Sequence, residues 1–94
     1  MIVGVCRIHL HLPGNGSLKQ KRARLKPLLH DLRKAFNLAT AEVDNNDLWQ
    51  SAVIGLVTVA NDVAYVHTVL QEAVHWIELH RPDVQIVDWE IELL

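Results

Sequence analysis

The stretch from Ser17 to Phe36, SLKQKRARLKPLLHDLRKAF, restricts this chain more than any other. Leu18, Leu25, Leu29, Leu32 and Phe36 follow one another at spacings of 7, 4, 3 and 4, which puts five apolar side chains on one side of a helix. The same stretch carries Lys19, Lys21, Arg22, Arg24, Lys26, Arg33 and Lys34, seven of the nine basic residues. Such a helix docks its stripe on a core and turns its cations to water, so the rest of the chain must supply the core. Ser17 is a natural N-cap, and Gln20 completes a capping box by reaching back to the N–H of the cap. Pro27 removes the N–H that would bond to Ala23 and crowds that carbonyl. The stripe keeps its phase across Pro27, so the expectation is one helix with a bend or a loosened turn.

The flanking segments read as strands and a second helix. Ile2 to Leu12 alternates, with Ile2, Cys6, Ile8, Leu10 and Leu12 on one face and Val3, Val5, Arg7, His9 and His11 on the other. Leu38–Val43 and Ser51–Ala60 form a hairpin about the turn residues Asp44 to Asp47. The second of these strands is apolar on both faces, the pattern of a central strand covered on both sides. Asn61-Asp62 starts a helix with an apolar stripe of Val63, Val66, Leu70, Ala73, Val74 and Ile77, stopped by Pro82. In Val84 to Leu93, Val87, Trp89, Ile91 and Leu93 alternate with Asp88, Glu90 and Glu92. The order β-α-β-β-α-β predicts an α+β, ferredoxin-like sandwich: a four-stranded antiparallel sheet of order 4-1-3-2 with two helices on one face. Residues 1–94 suffice for one such domain. The first strand then pairs with the last, setting Arg7, His9 and His11 against the acidic row.

Charge is unevenly placed. Residues 1–36 hold eight Lys/Arg and one acid, a balance of +7; residues 37–94 hold one Arg and ten acids, a balance of −9. The asymmetry serves a polyanion on one side or draws the two halves together. Cys6 is the single cysteine, which excludes an internal disulfide and a thiolate zinc site and fits a cytoplasmic protein. Neither a signal peptide nor a membrane span is expected, since no apolar run approaches about 20 residues.

Ser17-Leu18-Lys19 with Lys21-Arg22, Ala41-Glu42-Val43, Asp47 with Trp49-Gln50, Ile54-Gly55 and Trp89-Glu90-Ile91-Glu92 together span almost the whole chain. On these pieces the sequence resembles the YlxP-like family of small bacterial proteins of unknown function. The resemblance implies a ferredoxin-like fold and an unassigned activity. It also implies a setting among translation and ribosome-maturation factors, and it brings no catalytic residues. Pro27 departs from the family pattern.

Four groups of residues are candidate sites. Lys19, Lys21, Arg22, Arg24 and Lys26 cluster at a helix start, where N–H groups and the helix dipole favour anions; they either bind nucleic-acid phosphates or are a solvated face. Arg22, four residues after Leu18, falls inside the apolar arc and is expected to pair with an acid at the rim of the sheet. The open sheet face has valines where RNA-recognition modules carry stacking aromatics, so it suits a second copy better than bases. His9 and His11, facing Glu90 and Glu92, are a weak zinc pair or ordinary polar strand residues. Glu42, Asp44 and Asp47, beside Trp49-Gln50, are a protein-contact patch or a turn with a packed Trp.

No catalytic constellation, no cofactor and no membrane partner are indicated. The leading expectation is a non-enzymatic module associated with RNA or the ribosome through its basic helix; the alternative is a homo-oligomeric structural module joined through its sheet.

Overall fold

A computed structural model describes residues 1–94. Its elements are β1 (Ile2–His11), α1 (Leu18–Ala35), β2 (Ala39–Asp44), β3 (Ser51–Ala60), α2 (Val63–His80) and β4 (Gln85–Leu93). The sheet is antiparallel throughout, in the order β2-β3-β1-β4. Read from the other edge this is 4-1-3-2, the ferredoxin-like arrangement expected from the pattern.

Strand alternation decides what is buried. Cys6, Ile8 and Leu10 of β1 and Ala52, Ile54 and Leu56 of β3 point to the helices and are wholly inaccessible. They meet Leu25, Leu28 and Leu32 of α1 and Val66, Leu70, Ala73, Val74 and Ile77 of α2 in one cluster. Each large aliphatic side chain so buried stabilises the fold by about 1.5–3 kcal/mol before ordering costs. Gly4 allows β1 and α2 to approach closely: a Cβ there would lie 2.3 Å from Val66 Cγ1 and 2.9 Å from Leu70 Cδ1.

The helix ends are closed as the sequence suggests, with one shift. Ser17 Oγ accepts from the N–H of Gln20 at 3.1 Å, and Asp62 caps α2 by accepting from the N–H of Ala64. Gln20 Oε1, however, accepts from Gly16 N at 2.7 Å and not from Ser17 N. The box therefore closes one residue further back. α1 runs through Pro27 as a single helix.

Three readings of the pattern need correction. The buried side of α1 is Lys21, Leu25, Leu28 and Leu32, while Leu18, Leu29 and Phe36 lie on its half-buried flank. The helix is thus rotated about its axis from the expected stripe, and a lysine takes an inward position. β4 does not alternate strictly: His9 pairs with Asp88 but Leu10 pairs with Ile86, leaving Val87 as a bulge. The bulge turns Ile86 to the core and leaves Val87 exposed; Trp89 stays two-fifths exposed. β3 is central, but the helices cover only one face, and Val53 and Val57 stay half-buried on the other.

Candidate nucleic-acid interface

The turn that starts α1 separates its cations into two sets. Lys21 is 1% exposed. Its ammonium donates to the carbonyls of Asn45 (2.8 Å), Asn46 (3.1 Å) and Ser51 (3.3 Å), which occupy its three protons. Glu42 Oε2 lies 2.8 Å from the same nitrogen, at an approach angle outside that of a directed hydrogen bond. The carboxylate therefore balances the charge while backbone oxygens solvate it. Lys21 is a clamp from α1 to the β2–β3 hairpin and has no surface to offer a phosphate. Arg24 is likewise engaged, donating to the Pro13 carbonyl at 3.1 Å and to the Asp83 carbonyl, with Asp83 Oδ2 3.5 Å from its Nε.

Lys19, Arg22 and Lys26 form the second set. All three are exposed, and none makes an ion pair or side-chain hydrogen bond within the chain. Arg22 does not pair with an acid at the rim; its neighbour Lys21 makes that pair. At spacings of 3 and 4 these residues share an outward flank of α1, which Lys34 and Arg33 extend. Arg33 donates to Thr40 Oγ1 at 2.7 Å, fixing this flank toward the β2 side of the molecule.

On the open face of the sheet, Arg7 meets Glu90 at 3.4 Å, with both side chains largely exposed. His9 lies opposite Asp88 in the same register as Arg7, and the bulge then shifts His11 to lie opposite Gln85. Glu90 and Glu92 stand across from Arg7 and Val5 instead of the histidines. The His9 ring is 2.9 Å from Ser51 Oγ and the His11 ring 3.0 Å from the Gln50 carbonyl. No three His, Cys, Asp or Glu side chains converge there or elsewhere.

The hairpin tip departs most from expectation. Trp49 is not packed: it is 56% exposed, with Leu48 beside it at 52%. Its backbone is nevertheless held firmly. Asn15, itself 2% exposed, donates through Nδ2 to the Trp49 carbonyl (2.6 Å) and to the Ser17 carbonyl (2.9 Å). The Leu12 N–H bonds the Gln50 carbonyl at 2.9 Å, and Gln50 Nε2 bonds the Asn15 carbonyl. One amide thus ties the tip to the N-cap of α1. The sequence held signs of this. Lys21 precedes Leu25, Leu28 and Leu32 by 4, 7 and 11 residues, so it shares their face. Asn15 lies in the short loop between β1 and α1, where no local pattern marks its role.

Two groups have shifted ionisation. The Arg81 side chain, hydrogen-bonded to Asp83, holds that carboxyl below its ordinary value of 3.8, with Arg24 adding to the effect. Burial, aided by the charge of Glu90, pushes the Cys6 thiol up to about 11, so it stays protonated and unreactive in the native protein.

A family model described as "Protein of unknown function (DUF503)" matches residues 3–91. The chain is also 33% identical over 63 residues to the "Uncharacterized protein YlxP" of Bacillus subtilis (strain 168), covering 67% of this chain and 68% of that protein.

Proposed function

Taking as premise that this chain belongs to the DUF503 family of proteins of unknown function, we propose that it is a non-enzymatic RNA- or ribosome-associated module that grips phosphates with one flank of α1. One observation carries this reading. In the first turns of α1, Lys21 is buried against Glu42 and Arg24 shares Asp83 with Arg81, whereas Lys19, Arg22 and Lys26 stand in water without a carboxylate. Lys19 to Lys26 spans about 10 Å of helix axis, enough for two or three successive phosphates. Contacts of this kind release counterions and weaken with salt. RNA, among polyanions, is what the family resemblance implies.

The test reverses charge on the free set only. A triple variant Lys19→Glu, Arg22→Glu, Lys26→Glu should fold as the parent does, since none of the three is buried. Its log–log salt slope of ribosomal RNA binding should be shallower than the parent's by about 2 to 3. Binding equal to the parent's would remove the proposal.

A second reading has its own support. On the open sheet face Val5, Ala39, Ala41, Val43 and Val57 surround Gly55, leaving an apolar hollow. A second copy seated there would bury it. Light scattering after gel filtration at micromolar concentration checks this: a dimer that Val57→Asp converts to monomer supports it, and a strictly monomeric parent rules it out.

A further inference from the structure

Only three polar residues of the chain are buried: Asn15, Lys21 and Thr58. Two of them, Asn15 and Lys21, hold the same feature, the tip that joins β2 to β3. Burying an ammonium costs several kcal/mol unless it is fully paired, yet the tip so secured adds nothing to the core. What it carries outward is Leu48 and Trp49, both more than half exposed. A large aromatic held out on a locked backbone has already lost the freedom that a partner would otherwise have to remove.

The surroundings select the partner. The Trp49 and Ser17 carbonyls accept from one Asn15 nitrogen, so the tip is tied to the N-terminus of α1, the helix start that bears Lys19 and, a turn further on, Arg22. The shallow hollow around the indole is otherwise polar, with His11, Gln50 and Ser51 on its walls. Two apolar side chains in a polar ring are far short of the roughly 800 Å² per partner that a stable protein contact covers. An exposed indole on a tip tied to the helix start that bears unpaired cations matches a single base and the phosphates attached to it. Asp47 also lines the hollow and disfavours phosphate within it, leaving the backbone of the strand to the cations of α1.

We infer that Trp49 is a stacking platform for an unpaired base of single-stranded RNA whose phosphates run over Lys19 and Arg22. The inference deepens the function proposed above and rests on it: the α1 flank supplies sequence-independent grip, and Trp49 confines that grip to strands whose bases are free. Duplex RNA keeps its bases stacked inward and offers the indole nothing.

The test compares a labelled 12-nucleotide single strand with a duplex of the same sequence, by fluorescence anisotropy at fixed salt. Trp49→Ala should weaken single-strand binding about tenfold and leave duplex binding unchanged, and Trp49→Phe should restore most of the loss. In a Trp76→Phe, Trp89→Phe background, Trp49 emission should be quenched by the single strand and not by the duplex. If Trp49→Ala binds the single strand as the parent does while the triple charge reversal does not bind, the platform is overturned and the phosphate grip stands. In that case Leu48 and Trp49 belong to a protein contact. Equal loss on both RNAs overturns the platform as well. If neither variant changes binding, both readings fall.

Discussion

A single buried lysine governs how this surface can be used. Lys21 lies among leucines on the inward side of α1, so its charge is tolerable only because three carbonyls and Glu42 receive it. Lys21→Met removes the cation that Glu42 and the Asn46 and Ser51 carbonyls face, while the Asn45 carbonyl keeps the Leu48 N–H; equilibrium urea unfolding should show a loss of about 3 kcal/mol. Glu42→Gln keeps the three carbonyl bonds and should cost clearly less. The reverse ranking would mean that the ion pair, and not the carbonyl cage, holds the tip.

Asp83 gives a second prediction at this scale. Arg81 and Arg24 lower its folded pKa from 3.8, so folding favours the carboxylate. Its stabilisation is complete above pH 3.8 and is lost as pH falls through the lower folded value. Asp83→Asn should therefore be less stable than the parent at neutral pH, with the difference shrinking below pH 3.8. A difference that grows on acidification would contradict this assignment. Asp83 is two-fifths exposed, so the effect should be modest.

Among the elements, α2 on β1 is the most demanding contact. Gly4 has no side chain because Val66 and Leu70 already occupy the place a methyl would take. The nearer atom belongs to Val66, whose β-branched side chain turns with difficulty. Gly4→Ala should push α2 outward and cost about 1–3 kcal/mol, read from thermal or urea unfolding. An unchanged midpoint would show that the helix slides freely over the strand. Gly55 is milder, since a Cβ there would meet Val43 Cγ1 at 3.0 Å on the open face. The elements themselves were legible in the sequence, because period, caps and turn residues are local. The rotation of α1 was not, because Leu28 and Leu29 both lie near the stripe and only the packing chooses between them. Nor was the Val87 bulge visible: a strand with alternating apolar residues looks the same whether or not one residue is skipped by its neighbour.

Across the whole molecule, the unequal charge of the two chain segments is partly cancelled by folding. Arg7–Glu90, Lys21–Glu42 and Arg24–Asp83 each join the basic first third to the acidic remainder. Among the cations of that first third, Lys19, Arg22, Lys26, Arg33 and Lys34 make no such pair. Salt should distinguish the two groups. Lys21–Glu42 is sheltered from ions, and Arg7–Glu90 is exposed and worth at most about 1 kcal/mol. Raising salt should thus leave the melting temperature nearly constant, while the RNA binding proposed for the α1 flank should be lost over the same range. A melting temperature that falls steeply with salt would mean the surface pairs carry the fold.

The sequence by itself determined the order of elements, the sheet topology and the placing of seven cations on one helix, because periodicity and charge content are properties of neighbouring residues. Only the tertiary structure decided which of those cations remain free and where Trp49 stands. Both depend on atoms far apart in the chain: Lys21 is neutralised by Glu42 and solvated by the hairpin carbonyls, Arg24 is drawn to Pro13 and Asp83, and the tip is fixed by Asn15. No local pattern records such partners, since a lysine four residues from a leucine reads alike in sequence whether water or a ring of carbonyls awaits it.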